Sequence, residues 1–499
     1  MDLPTPGHLK KAPGFPLEAV EGWGMACTSR CYVARPRSAQ EIRRIFREAR
    51  ACGLPVGLRG AGCSYGDAAI NDRGILLDLT HFNRILAFDE ESGVLEAEPG
   101  VTIEQVWRHV LPRGFWPPVV PGTMFPTLGG CAAMNIHGKN CFQAGTIGEH
   151  VEDFDLLLPS GETRRCSRDE NEELFHAAIG GIGMLGVFTR LSLRMKRVHS
   201  GDVRVRPIVA PSLEEMIRII EDLHESSDYL VGWIDAFARG ASLGRGLIHQ
   251  ACYLKRGEDP EPTATRRISH QVLPSRLFGV IPKGWMWAGL WCFLNQPGMR
   301  LINALKYAQG RRRAREGVHR QSLVGFSFLL DYVPNWKFAY KPGGLIQYQS
   351  FVPRDAALEV FEEILTRSQE RGIIPYLGVL KKHRPDPFLL THGLDGYSLA
   401  LDFPVRESRR SDLWSLAAEL DDIVASAGGR FYFAKDLTMT TETLGRSYPP
   451  ENVRRFLDLK AELDPGGLLQ TDLYRRLFAP LAEGVEMRAG TSLEGRSRT

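Results

Sequence analysis

Long apolar runs, clustered cysteines and a surplus of charge are all missing from this chain. No stretch approaches the roughly 20 apolar residues that span a bilayer. Met1 to Gly24 holds no continuous apolar core of a signal peptide. The expectation is therefore a cytoplasmic protein with no transmembrane helix. The nine cysteines are scattered, with no C-x-x-C pair and no Cys/His spacing that suits a metal, so neither a disulfide framework nor a metal site is expected. A net charge of +3 on 499 residues gives no reason to expect nucleic-acid binding, and the longest basic run, Arg311-Arg312-Arg313, reads as a solvated helix face. The greasiest segment, Trp285 to Leu294, is too short to cross a membrane. Its three tryptophans read first as an aromatic core segment, and otherwise as a surface that touches lipid or a lipid-linked substrate.

Glycine is plentiful, and it concentrates usefully between Val56 and Asn140. A first turn runs Val56-Gly57-Leu58-Arg59-Gly60-Ala61-Gly62-Cys63-Ser64-Tyr65-Gly66-Asp67. A second runs from Pro121-Gly122-Thr123 through Thr127-Leu128-Gly129-Gly130 to Asn135-Ile136-His137-Gly138-Lys139-Asn140. Without a Cβ, backbone approaches a ligand closely, and successive N–H groups in such turns make concave anion sites. Two of them together would grip a diphosphate from both sides. Each alone reads equally as an ordinary tight turn. The first fails the dinucleotide spacing G-x-G-x-x-G, because Tyr65 stands where the third glycine belongs. The literal match, Gly181-Ile182-Gly183-Met184-Leu185-Gly186, follows a helical pattern and precedes a strand, so it reads as a helix-to-strand turn. A nucleotide cofactor would not be held in the Rossmann manner.

Periodicity outlines an α+β protein of two or more domains. Ser38-Ala39-Gln40-Glu41 opens a helix stopped by Gly53, and Thr102-Ile103-Glu104-Gln105 opens another that ends before Pro112. Strands are expected at 54–58, 75–79, 94–98, 151–158, 162–166 and 187–195, with a short helix at 173–179. Beyond Val203, strands at 230–237, 247–254, 345–351, 397–403 and 430–435 adjoin or alternate with helices at 213–224, 355–370, 411–427 and 452–461. That order suggests an antiparallel sheet backed by helices. Residues 481–499 are polar and rich in small residues, and are expected to be disordered.

Arg59-Gly60-Ala61-Gly62-Cys63-Ser64 resembles the R-G-x-G-H-S turn of the vanillyl-alcohol oxidase/p-cresol methylhydroxylase superfamily of FAD enzymes. Within it the chain looks like the decaprenylphosphoryl-β-D-ribose 2′-oxidase family. The likeness is nearly chain-long and includes Gly22-Trp23-Gly24, His137-Gly138-Lys139-Asn140, Leu243-Gly244-Arg245-Gly246, Gln347-Tyr348-Gln349, Val379-Leu380-Lys381, Asp402-Phe403-Pro404 and Ala434-Lys435-Asp436.

The resemblance implies a two-lobed PCMH-type FAD domain at 1–200, a substrate domain at 201–429 and a segment at 430–480 that returns to the first. It assigns FAD to residues 57–67, Gly122, Thr127 to Gly130, Met134 to His137, and Tyr432. The same likeness gives Lys435, His137 and Tyr65 catalytic places, and gives Gln347, Gln349, Lys381, Trp233 and Ala400 to the substrate. Taken without it, Lys435 reads as a surface lysine and His137 as a satisfied core histidine. Cys63 replaces the histidine that many superfamily members link to flavin, so FAD is expected to be noncovalent. A pocket cysteine of the family is Ala400 here, and a pocket tyrosine aligns near Ser327. Both changes shrink side chains, which admits a larger or different alcohol.

The implied activity is oxidation of a secondary hydroxyl on a sugar, polyprenyl-phosphate-linked, to a ketone. An NAD(P)H-dependent short-chain reductase would complete an epimerisation, and peripheral membrane contact is compatible with such a substrate. The rival readings are an oxidase of free alditols or aldonolactones, a C=C reductase of a sterol-like substrate, and a flavin-binding scaffold without chemistry.

Overall fold

The computed structural model describes residues 13–274, 276–277 and 281–482. The tail expected to be disordered, 481–499, lies outside them from residue 483 on. Three sheets carry an α+β architecture. The first runs Leu17–Glu21, Thr28–Ala34, Ile75–Asp78, Val56–Arg59; its outer hairpin is antiparallel and its other pairs are parallel. Two parallel strands need a crossover, and the helix Ala39–Cys52 supplies it. Ser38 Oγ accepts from Glu41 N–H, Ile42, Ile45, Phe46 and Ala49 are buried, and Gly53 ends the helix at φ 68°. Glu41 turns to the Arg37 N–H instead of closing a capping box. A complete box does open the helix Ile103–Val110, from Thr102 and Gln105.

The second sheet is five-stranded and antiparallel, in the order Ile85–Asp89, Val94–Ala97, Val187–Arg194, Val151–Leu157, Thr163–Ser167. The third has eight strands, all paired antiparallel: His319–Ser322, Asp202–Ala210, Gly246–Tyr253, Tyr229–Ile234, Leu377–His383, Gly396–Pro404, Leu345–Pro353, Arg430–Phe431. Helices Leu213–Leu223, Ala357–Glu370 and Arg410–Ser426 bury apolar faces beside it.

Several expectations need correction. The strands Leu17–Glu21, Thr28–Ala34, Ile85–Asp89, Asp202–Ala210 and Leu377–His383 were not anticipated, because each mixes charged residues with its apolar ones. The strand expected at 430–435 stops at Phe431, where the backbone turns so that Lys435 and Asp436 N–H both reach Tyr432 C=O. The aromatic segment is not core. Trp285, Trp291 and Phe293 are exposed, and the helix Met286–Trp291 buries none of its residues. Among the described residues no helix is long and apolar enough to cross a membrane.

The chain's last part returns to its first. Leu468 C=O accepts from Val56 N–H at 2.7 Å, Gln470 N–H reaches Val56 C=O at 2.9 Å, and Tyr65 N–H reaches Ala434 C=O at 2.8 Å. Arg476 closes the junction with salt bridges to Asp67 and Asp436, both at 2.8 Å. Both carboxylates are nearly buried, and burial raises Asp67 from the ordinary range. Removing the guanidinium strands them in a medium that cannot solvate them, which costs about 3 kcal/mol or more. Arg476→Met is accordingly expected to lower the unfolding midpoint well below that of the wild type. A second-site Asp67→Asn should recover part of the loss, as read by thermal or urea unfolding.

Candidate functional site

A cavity of about 470 Å³ lies where the glycine turns, the large sheet and the returning segment meet. The first turn contributes Arg59 to Tyr65 to its wall. Gly62 takes φ +65°, and a Cβ there would meet the Arg59 guanidinium at 2.2 Å. A Cβ on Gly60 would stand 2.1 Å from Thr127 Oγ1 of the second turn. The two turns therefore approach as closely as backbone allows. Backbone N–H groups of Ala61, Gly62, Cys63 and Ser64 find no acceptor among the described residues, and these residues line the cavity. Such a row of free donors suits the oxygens of a diphosphate. The donor set and the glycine cradle fit FAD.

The second turn brings Pro121, Gly122, Thr123, Thr127, Gly129 and Gly130 to the same wall. Thr127 caps the short helix Leu128–Ala133 by accepting from Gly130 N–H. Asp331 pins the 329–337 segment across this turn, accepting from Thr123 Oγ1 at 2.7 Å and from Met124 N–H at 2.9 Å. Burial pushes its carboxyl up to about 6.

At the far end stand the ionisable groups. Lys435 Nζ lies 3.6 Å from the Tyr65 ring centroid, a cation–π contact. Burial pulls this ammonium down to about 7, the nearby Lys381 adding to the effect and Asp402 opposing it. Asp402 is itself pushed up to about 6 by burial, and Gln347 Nε2 donates to it at 2.5 Å. The Trp23 ring meets Tyr65 at 4.5 Å and Trp336 at 5.2 Å, tilted against both, which closes the aromatic wall. The strand Leu345–Pro353 points Gln347 and Gln349 to one face, as period-two alternation requires. Gln349 Nε2 lies 3.0 Å from His137 Nε2, and Ala400 sits beside Gln349 in register.

Behind them is a buried polar cluster. His137 rings lie 5.0 Å from His383, 5.4 Å from His392 and 5.2 Å from Tyr432. Burial, with Lys381 nearby, drives the proton from His137 and His383 and holds both imidazoles neutral. His137, Cys141 and His383 place ligand-type atoms within 4.8 Å of one another, a juxtaposition that sequence spacing gave no sign of. The Cys141 thiol already donates to the Gly138 and Lys382 carbonyls at 3.2 Å, and burial keeps it protonated. The three thus sit in a neutral hydrogen-bonded network beside a lysine.

Most residues singled out from the sequence share the cavity wall: Arg59 to Tyr65, Gly122, Thr127, Gly129, Gly130, Met134, Ile136, His137, Gln347, Gln349, Lys381, Ala400, Tyr432 and Lys435. Six others stand behind it. Gly57 packs on Asn71, and Gly66 abuts the Asp436 carbonyl. Asp67 pairs with Arg476, and Leu128 is core. Asn135 ties Gly148 N–H to Asp386, and Trp233 lies under Lys306 at 4.3 Å. Ser327 is buried outside the wall, where its carbonyl accepts from Lys139 at 3.0 Å.

The wall also holds residues given no role from the sequence: Lys139, Asp331, Trp336, Lys337, and the turn residues Ile182 and Gly183. Lys139 lay within a quoted motif, and burial pulls its ammonium down to about 7. The 329–337 segment carried no periodic signal, since its conformation comes from the Asp331 clamp.

Gly60→Ala tests the cradle. It is expected to yield folded protein with most of its FAD absorbance lost, because the new methyl collides with Thr127. Gly466→Ala, at an exposed turn with ordinary φ where a Cβ meets nothing, serves as a control and keeps the flavin.

Comparison with known proteins agrees with this geometry. Residues 31–167 match a family described as FAD binding domain. The chain is 31% identical over 468 residues to decaprenylphosphoryl-beta-D-ribose oxidase of Mycolicibacterium smegmatis, covering 91% of this chain and 96% of that one. It is 23% identical to a Neurospora crassa protein provisionally named D-arabinono-1,4-lactone oxidase, over 90% of this chain and 83% of that one. It is 29% identical to cytokinin dehydrogenase 5 of Arabidopsis thaliana over 33% of this chain and 32% of that one. On the near full-length match and the FAD-binding domain, the chain belongs to the decaprenylphosphoryl-β-D-ribose oxidase family of FAD-dependent oxidoreductases.

Proposed function

We propose that this protein oxidises a secondary hydroxyl of a sugar, carried on a polyprenyl phosphate, to a ketone. It would serve as the oxidase half of an epimerisation that an NAD(P)H-dependent reductase completes. The observation that carries the reading is a buried amine, Lys435, set over Tyr65 in the wall that also holds Gln347, Gln349 and Lys381.

Bound FAD supplies the hydride acceptor. The chain's residues handle the rest. Burial draws the Lys435 pKa down to about 7, so the neutral amine is available near neutral pH and takes the hydroxyl proton. Tyr65 holds that nitrogen in place, and Asp402 stabilises the ammonium that results. Gln347 and Gln349 offer amide groups to neighbouring hydroxyls, and the Lys381 ammonium suits an alcohol oxygen or a phosphate. His137, kept neutral, fixes Gln349 through their 3.0 Å contact. Trp23, Trp336, Leu330 and Val333 give the wall an apolar stretch suited to a hydrocarbon tail. The relative from Mycolicibacterium smegmatis is named for a decaprenylphosphoryl ribose, which supports the lipid-linked sugar.

Cys63 lines the cavity, but burial pushes its thiol up to about 11. A protonated thiol is a poor nucleophile, which supports noncovalent flavin. The relative named for a lactone supports a second reading, oxidation of a free alditol or aldonolactone.

Anaerobic mixing separates the two. A polyprenyl-phosphoryl pentose is expected to bleach the flavin band, and free alditols or aldonolactones are not; the reverse pattern transfers the assignment to the soluble sugars. The neutral amine is the base, so kcat/KM should rise as pH climbs through about 7 and level off above it. Lys435→Met should lower kcat by roughly 10²- to 10⁴-fold and erase that limb. Acid precipitation of the wild type should leave the yellow cofactor in the supernatant.

A further inference from the structure

The segment from Lys283 to Glu316 presents a surface that the hydroxyl chemistry does not use. Trp285 is 72% exposed, Trp291 55% and Phe293 48%. The helix Met286–Trp291 rests on the segment Trp336–Tyr340: Trp291 Nε1 donates to Lys341 C=O at 3.2 Å, and Trp287 meets Phe338 at 6.0 Å. Trp336 and Lys337, where that segment begins, line the cavity. The aromatic patch and the site therefore share a supporting element.

Next along the chain is the helix Gln296–Glu316, which buries only Met299, Asn303 and Gly310. Gly310 lets it lie flat, since a Cβ there would meet Leu247 at 2.2 Å. Leu301 and Leu305, four residues apart and so on one side of the helix, are 52% and 60% exposed. Arg311, Arg312, Arg313 and Arg315 follow them along the same helix, which also carries Arg300 and Lys306, against Glu316 alone. The whole chain carries a net charge of only +3, so this helix concentrates cation where apolar side chains are bare.

We propose that this surface docks the protein on bilayers that display anionic phosphate headgroups. Tryptophan and phenylalanine suit the headgroup boundary, and arginine is drawn to the negative surface of such a leaflet. Charge argues against a second copy as the occupant, because a two-fold contact would press the arginines of one helix on those of the other.

Flotation of the full-length, FAD-loaded protein tests this. It should rise with phosphatidylglycerol vesicles, remain behind with phosphatidylcholine vesicles, and come off as salt is raised. A Trp285→Ala/Phe293→Ala variant and an Arg311→Gln/Arg312→Gln/Arg313→Gln variant should each float roughly tenfold less or worse. Both should keep wild-type flavin absorbance and unfolding midpoint, which shows that they fold. Wild type that ignores phosphatidylglycerol overturns the proposal, and so do variants that float as well as wild type. A wild-type dimer that the aromatic variant turns into monomer gives the face to a second copy instead and also overturns it. These vesicles carry no sugar, so this test and flavin bleaching succeed or fail separately.

Discussion

The site depends on the junction between the first glycine turn and the end of the chain. Tyr65 N–H bonds Ala434 C=O, Gly66 presses on the Asp436 carbonyl, and Arg476 spans Asp67 and Asp436. Each contact is short and largely out of water. Together they fix Lys435, next to Ala434, over the Tyr65 ring. The turn proposed to hold a diphosphate and the amine proposed to meet a hydroxyl are thus joined directly, although some 370 residues separate Tyr65 from Lys435 along the chain.

Burial then does the chemical tuning. Lys435 and Lys139 are both pulled down to about 7, while Asp402 and Asp331 are pushed up to about 6. Desolvation leads in all four, so these groups keep their protons loosely near neutral pH. For Lys435 that suits the base role proposed for it. For Asp331 it accompanies a structural clamp, with a hydroxyl and an N–H already donating to the carboxyl. The same medium keeps His137 and His383 neutral, so the polar floor of the cavity is a network of hydrogen bonds without opposed charges.

Much of the fold was legible because local signals agreed with tertiary packing. Ser38 and Gly53 bound a helix whose apolar side is buried, and the strands Val151–Leu157 and Val187–Arg194 fall within the strands expected at 151–158 and 187–195. Strands that carry arginine among their apolar residues, such as Thr28–Ala34 and Asp202–Ala210, were harder to see. The tryptophans of 285–291 misled in the other direction. Hydrophobicity there measured a tendency to leave water, and nothing local says whether protein covers it.

Alone, the sequence determined the two glycine turns, the α+β class and the alternation that sets Gln347 and Gln349 on one face. These depend on neighbours in the chain: a missing Cβ, a helical period, a strand period. Tertiary structure decided that Thr127 meets Gly60, that Lys435 reaches Tyr65, and that Asp331 clasps the second turn. It also decided that Trp233 lies under Lys306 and away from the cavity. Those contacts join segments hundreds of residues apart in some cases. They bring charge into a medium that water cannot reach, which no local spacing encodes.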